Sequence, residues 1–189
     1  MSRTVTVHSL LLKAQTLVMR LPALACTLVI ASVTHADVTT TDVQVAARAL
    51  SFISEPLSGR VRVGIVYAAN SAGSRRQAQE LQALLSRGLR IGALELQPVL
   101  LEAADASSAN VDLFFMTEHM AADTAPKLRD NDFLGRTLCV TTDIEQVRRG
   151  ACVLGIQSQP KVEVFVNRSA AMSQGITFST VFRVMITEL

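Results

Sequence analysis

Apolar and polar residues follow two different periods along this chain, and each period predicts a kind of element. In Val43–Ser54 the apolar residues recur at helical spacing, which predicts an amphipathic helix. Arg60–Tyr67 becomes continuously apolar toward its end, as the central strand of a parallel sheet does. Pro56 and Gly59 lie between the two stretches and break the helix. The pattern therefore begins with a helix followed by a buried strand.

Strand-like and helical stretches continue to alternate toward the C-terminus. Further strands are predicted at Leu94–Leu101, Val111–Met116, Thr137–Thr142, Cys152–Gln157 and Lys161–Asn167. Further helices are predicted at Arg75–Leu85, Ala121–Arg129, Ile144–Arg149, Arg168–Gln174 and Ser179–Leu189, with a turn at Asp130–Gly135. Because strands separated by helices form βαβ units, residues 37–189 are predicted to form a single α/β domain. The expected fold is a three-layer sandwich with a mostly parallel sheet, a C-terminal β-hairpin and flanking helices.

Single polar residues and one proline refine this prediction. Ser74, Asp143 and Asn167 precede predicted helices, and their side chains suit the N-cap position. Asn167 follows the strand "KVEVFV", whose alternating valines are expected to cover a helix layer while Phe165 faces the other side. Pro98 lies inside a predicted strand, which indicates an edge position or a break because proline has no N–H to donate.

Residues 1–36 have the anatomy of a cleaved secretory signal peptide. A basic residue precedes the apolar run Leu21–Val33, and small residues follow up to Ala36. Met19 is an alternative start that gives a more compact leader. An uncleaved anchor is the other interpretation, although the run is shorter than the ~20 residues that span a bilayer. Cys26 also raises lipidation as an alternative, but it lies inside the apolar run. We expect export to the periplasm.

The charge balance changes once this leader is set aside. The whole chain carries a formal charge of +2 from 18 basic and 16 acidic residues. Arg3, Lys13 and Arg20 lie in the leader, so fifteen basic residues face sixteen acidic ones in the remainder, a net charge of −1. Without a large basic field, nucleic acid and anionic membrane surfaces are not expected partners.

Export would leave two cysteines, Cys139 and Cys152, in an oxidising compartment. Each lies in or beside a predicted strand, so the pair is the candidate disulfide if those strands are neighbours. The alternative is two buried thiols that pack as small apolar groups.

No motif in the chain identifies a reaction, a cofactor or a metal site. His119, in "TEHM", follows a predicted strand and lies where ligands bind in open α/β sheets. Tyr67–Ser74 is a strand-to-helix turn that could hold an anion at its backbone N–H groups, but it is not GxGxxG and lacks the Gly-Lys-Ser/Thr of a P-loop. An ordinary surface histidine and an ordinary capped turn are the alternatives. No catalytic residue and no small-molecule substrate are therefore predicted.

The C-terminal half resembles the YfiR family of periplasmic proteins. The resemblance lies in Thr137–Met185: a strand ending in Thr-Thr-Asp, a Gly, an apolar strand, a strand running into Asn167, an Ala-containing helix, Gly175 and a last helix. It implies a periplasmic α/β protein without enzymatic activity or cofactors. Such a protein would bind and restrain the periplasmic part of an inner-membrane diguanylate cyclase, often as a homodimer. Two departures stand out, because Gln146 occupies the position of a family cysteine and Glu55 that of a common tryptophan.

A second resemblance favours a different class of protein. The stretch Arg60–Gly88 resembles the opening of a lobe of an ABC-type solute-binding protein. Such proteins usually need two lobes and about 300 residues to close over a ligand by hinge motion. A solute-binding-like module is therefore the alternative to the regulator.

Overall fold

The computed structural model describes residues 38–120 and 137–189, which belong to the compact unit Ala36–Leu189. The helices of these residues are α1 Thr40–Leu50, α2 Ala72–Leu85, α3 Ile144–Arg148, α4 Arg168–Ser173 and α5 Thr180–Arg183, with a 3-10 turn at Ala106–Ser108. The strands are β1 Gly59–Tyr67, β2 Arg90–Ile91, β3 Leu94–Glu102, β4 Leu113–Met116, β5 Leu138–Thr141, β6 Leu154–Gln157, β7 Glu163–Val166 and β8 Thr187–Glu188.

Within the described residues, all eight strands form one sheet in the order β2-β3-β1-β4-β5-β6-β7-β8. The five strands from β3 to β6 run parallel, and β7 returns antiparallel to β6 in the predicted hairpin. After β1 the chain crosses to β3 on one side, and then back to β4 on the other side. The carboxyl ends of β1 and β4 therefore flank a topological switch point, where ligands of open α/β sheets bind.

Helices cover both faces of this sheet, as a three-layer sandwich requires. One core cluster joins α1, α2 and α4 to one face, with Leu50, Ile65, Leu81 and Leu154 almost completely buried. The other face packs Val66, Phe114 and Met116 against Val147 of α3. The predicted α/β three-layer sandwich is confirmed. None of the described helices has both the length and the apolar composition needed to cross a bilayer.

The N-terminal boundary of α2 differs from the prediction. The N-cap is Ser71, whose Oγ accepts from the backbone N–H of Ser74 at 3.2 Å. Ser74 itself lies inside the first turn of the helix and is completely buried. The prediction of Ser74 as the cap was wrong because its hydroxyl is used in tertiary contacts.

The C-terminal helix is much shorter than predicted. The chain is helical only over α5, and Thr187–Glu188 then forms β8, parallel to β7. Phe182 anchors α5, because its ring stacks on Phe52 with the centroids 5.0 Å apart. The first helix is also displaced, since α1 begins at Thr40 with a capping box between Thr39 and Asp42.

Pro98 confirms the predicted edge position. The carbonyl of Ala93 and the N–H of Ala103 bond to β1, so odd-numbered residues of β3 face β1 and Pro98 faces outward. Outside Pro98, β3 has only the two-residue β2 as a partner among the described strands, and that pairing ends at Glu95. The missing N–H of Pro98 therefore costs no bond within the sheet.

Three predictions concern residues outside the described ranges. These are the leader at residues 1–36, the helix at 121–129 and the turn at 130–135. They stay predictions.

Candidate functional site

Loops from three parallel strands meet at the carboxyl edge of the sheet. The loop after β1 leads into α2, the loop after β4 contains Thr117–Met120, and the loop after β5 leads through Asp143 into α3. We define this group of loops, with the N-terminal turn of α2, as the carboxyl-edge site. It lies at the switch point between β1 and β4.

Two buried hydroxyls tie the first two loops together. The N–H of Ala68 donates to Ser74 Oγ at 2.8 Å, and Ser74 Oγ lies 2.6 Å from Thr117 Oγ1. Thr117 Oγ1 is also 2.9 Å from the carbonyl oxygen of Val66. Since Thr117 has a single hydroxyl proton, which it donates to Val66, Ser74 is the donor between the two hydroxyls. Both residues are completely buried, so these two hydroxyls join the loops from inside the site.

A second network connects α2 to the loops after β4 and β5. The side chain of Gln77 is mostly buried; its Oε1 accepts from the N–H of Glu118 at 2.6 Å and its Nε2 donates to Thr142 Oγ1 at 3.2 Å. Thr142 Oγ1 in turn donates to Glu118 Oε1 at 3.2 Å. Thr142 therefore holds the Glu118 carboxylate at the edge through Oε1.

Gln146 also connects the loops after β4 and β5, in a position beneath this network. It is completely buried, and its Nε2 donates to the carbonyl oxygen of Thr117 at 2.8 Å and to Asp143 Oδ2 at 3.1 Å. Its Oε1 is buried without a hydrogen-bond partner. Asp143 caps α3 as predicted, accepting from the N–H of Glu145 at 3.0 Å. Gln146, which stands where the YfiR resemblance would place a cysteine, thus joins α3 to the loop after β4.

His119 stands on the exposed side of these networks. Its φ of 59° is in the left-handed region, where histidine is one of the more tolerated side chains. A Cβ built on Gly73 would lie 3.6 Å from His119 Cδ2, so the imidazole lies beside the first turn of α2. The predicted placement of His119 at the carboxyl end of a strand is confirmed.

The arrangement provides two kinds of binding group next to each other. The first N–H groups of α2 have no acceptor within the helix, and with the helix dipole they favour an anion. Glu118 supplies a fixed carboxylate that favours a cation or a donor. In residues 38–120 and 137–189, no three His, Cys, Asp or Glu side chains are grouped closely enough to hold a metal ion.

The other residues singled out from the sequence lie away from this edge or beneath it. Cys139 and Cys152 form a disulfide in the structure, with their Cα atoms 4.9 Å apart and both side chains buried. Asn167 caps α4 as predicted, accepting from the N–H of Ala170 at 2.8 Å. Their positions within the core packing make them structural residues.

Sequence reasoning missed Gln77, Thr142 and the role of Gln146. One signal was present: Gln77 lies on the inward-facing side of α2, near the apolar Ala78 and Leu81. A long polar side chain at a buried helix position must be hydrogen-bonded, which marks it as part of a network.

Comparison with known proteins identifies the fold. No family model matches the chain, and no curated protein matches it either. Three solved structures are similar in fold: an ABC domain in complex with L-Trp from Streptococcus pneumoniae, a conserved domain protein from Vibrio cholerae, and a ligand-free, open substrate-binding protein with adhesive properties from Clostridium difficile.

These likenesses are in structure, with little sequence identity. The TM-scores are 0.54, 0.54 and 0.55, at 11%, 15% and 12% identity, in the same order. The matches cover 78%, 81% and 80% of this chain but only 60%, 61% and 60% of those structures. The chain thus spans about three fifths of the length of these three structures.

Proposed function

We propose that this protein is a non-enzymatic binding module that holds a small polar solute at the carboxyl-edge site. The observation that carries the proposal is the convergence of the α2 N-terminus, the fixed Glu118 carboxylate and His119 at the switch point. The burial of Ser74 and Thr117 supports binding over catalysis, because a substrate at the edge would not reach either hydroxyl.

The class of solute follows from the two binding groups. The N–H groups of α2 suit a carboxylate, and Glu118 suits an ammonium group, so a free α-amino acid or a similar zwitterion fits both. The complex of the Streptococcus pneumoniae domain with L-Trp supports this class, since that domain shares the fold. L-Tryptophan is accordingly the first probe.

A module of this size would hold its ligand in an open site. The two binding proteins that resemble it are longer, and this chain covers 60% of each. With one lobe, a ligand at the edge stays partly in water, so we expect affinities in the micromolar to millimolar range. A second body would be needed to enclose the ligand.

The test is a titration of the isotope-labelled chain followed by NMR. L-Tryptophan should shift the amide signals of Gly73 and Glu118, whereas N-acetyl-tryptophan amide, which has neither charge, should not. Glu118→Gln should weaken binding about tenfold through loss of a charge-assisted hydrogen bond. The matched control is Glu145→Gln, an exposed carboxylate at the start of α3 whose removal should leave the affinity unchanged. Equal binding of the neutral analogue, or no shift at 10 mM of L-tryptophan and other free amino acids, would exclude the proposal.

Export to the periplasm through a cleaved N-terminal signal peptide belongs to the same proposal. Residues 1–36 carry the pattern of such a signal, and a buried disulfide is typical of an oxidising compartment. Cell fractionation with N-terminal sequencing of the mature protein tests it. A mature N-terminus at Met1 or Met19 would contradict cleavage after Ala36.

The second candidate function is the YfiR-like regulator of a membrane diguanylate cyclase. Large apolar side chains on and after α4 and α5 favour a protein partner or a homodimer, because Met172, Val181, Val184 and Met185 are each more than half exposed. Deletion of the gene should then raise the cellular cyclic di-GMP level. An unchanged level under several envelope-stress conditions would count against the regulator and leave the solute-binding proposal standing.

A further inference from the structure

The peptide group between Thr117 and Glu118 is held from both sides by glutamine side chains. From α3, Gln146 Nε2 donates to its carbonyl oxygen at 2.8 Å. From α2, Gln77 Oε1 accepts from its N–H at 2.6 Å. Gln146 is completely buried and Gln77 is 7% exposed, so water competes little for either bond. The two helices therefore fix the plane of this peptide group, and with it the backbone from which the Glu118 side chain extends.

The side chain of Glu118 is fixed by a ring of hydrogen bonds that begins and ends on the same residue. Its N–H donates to Gln77, and Gln77 Nε2 donates to Thr142 Oγ1 at 3.2 Å. Thr142 has one hydroxyl proton and a carboxylate only accepts, so this proton goes to Glu118 Oε1 at 3.2 Å. A flipped Gln77 amide would bring its NH2 group against the N–H of Glu118, two donors face to face. The ring therefore has a single orientation.

This ring prepares the Glu118 carboxylate for a ligand before the ligand arrives. Glu118 is half-buried, and a glutamate side chain in such a position normally samples several rotamers. Ordering a side chain of this kind during binding lowers the affinity, and a side chain that is already ordered avoids that loss. The difference corresponds to about three- to tenfold in the dissociation constant.

We propose that Gln77 and Thr142 are positioning residues that make the carboxyl-edge site selective for ligands that carry an ammonium group. The inference rests on the proposed function, in which Glu118 binds that group, and it adds how the selection is built into the fold. Both residues act through Glu118, because the ring ends on its carboxylate. A ligand that has only the carboxylate binds at the α2 N–H groups, so its affinity does not depend on the ring.

The experiment titrates the full chain with L-tryptophan and with indole-3-propionate, which keeps the ring and the carboxylate but lacks the ammonium group. Thr142→Val keeps the shape of the side chain and removes its hydroxyl, so it should weaken L-tryptophan binding about three- to tenfold and leave indole-3-propionate binding unchanged. Thr142→Ser keeps the hydroxyl and should bind both ligands like the wild type. Gln77→Met should act like Thr142→Val. Its matched control is Gln79→Met, an exposed position on the same helix that should change neither affinity.

A double-mutant cycle separates a positioning role from an independent one. If Thr142 acts only through the Glu118 carboxylate, Thr142→Val should cause no further loss of L-tryptophan affinity once Glu118→Gln is present. A further threefold loss in the double variant would show that Thr142 affects the ligand by another route, and would overturn the inference.

Hydrogen exchange tests the ring in the chain without ligand. The amide of Glu118 should exchange about fivefold faster in Gln77→Met than in the wild type, because its acceptor is lost. An unchanged exchange rate, or an equal loss of affinity for both ligands in Thr142→Val, would overturn the inference. L-tryptophan binding that is weakened by Glu118→Gln but unchanged in Thr142→Val and Gln77→Met would overturn it and leave the proposed function standing. A wild type that binds neither ligand would overturn both.

Discussion

Replacement of Asn167 tests whether one side chain holds two helices together. Its Oδ1 accepts from the N–H of Ala170 at the start of α4. Its Nδ2 donates to the carbonyl oxygen of Val147 at 2.9 Å and lies 3.4 Å from that of Arg148, at the end of α3. The residue is 7% exposed, so water does not compete for these bonds. Asn167 is thus both a cap and a bridge.

The cost of Asn167→Ala can be worked out from these contacts. Loss of an N-cap costs about 1 kcal/mol of unfolding free energy. Loss of the hydrogen bond to Val147 costs about another 1 kcal/mol. The Val147 oxygen also accepts from the N–H of Gly150 at 2.9 Å, so it is not left wholly unpaired and the penalty stays moderate. With the small cavity added, we expect about 2 to 3 kcal/mol in total.

Asn167→Asp distinguishes the cap from the bridge. Aspartate is as good an N-cap as asparagine, so a residue that acted only as a cap would tolerate the change. In the bridge, however, a carboxylate oxygen would face the carbonyl oxygens of Val147 and Arg148 in a buried position. We therefore expect Asn167→Asp to cost at least as much as Asn167→Ala at pH 7.

Urea unfolding monitored by circular dichroism measures both values. Asn110→Ala is the control, because Asn110 is exposed and should change stability by less than about 0.5 kcal/mol. If Asn167→Asp were as stable as the wild type, the bridge to α3 would be refuted. If Asn167→Ala cost less than about 0.5 kcal/mol, the cap would be refuted as well.

Two further predictions concern the packing around α3. Replacing Cys139 and Cys152 together by alanine should lower stability by about 3 kcal/mol, as expected for cross-linked residues 13 apart in sequence, and two alkylatable thiols in the unreduced protein would contradict the disulfide. Gly155→Ala should cost about 1 to 3 kcal/mol, because the new methyl group would lie 2.7 Å from Val147 Cγ2. The double variant Gly155→Ala with Val147→Ala should cost less than the sum of the two single variants, and strict additivity in urea unfolding would refute this contact.

The alternation of strands and helices was predictable from the sequence because it depends on local periodicity. The buried run in Val63–Val66 predicts a central strand, and the structure places β1 between β3 and β4. Pro98 likewise predicted an edge position, because the missing N–H is a property of the proline itself and does not depend on distant residues. Predictions that rest on a single residue and its immediate neighbours are mostly confirmed.

Predictions that depend on distant partners failed. The residues around Ser74 predict that it is an N-cap. Its hydrogen-bond partner Thr117, however, lies 43 residues away in the sequence, and Ser74 is buried inside α2 to make that contact. The last segment was predicted as one long helix from its apolar residues. Its β-branched Val184, Ile186 and Thr187 disfavour a helix, and β8 pairs with β7 instead. In both cases a contact with a residue distant in sequence determined the structure.

The same limit applies to the candidate binding site. At the carboxyl edge, local reasoning located His119, but the fixing of Glu118 by Gln77 and Thr142 depends on residues from three separate segments. Sites assembled from distant loops become visible only when the fold brings them together.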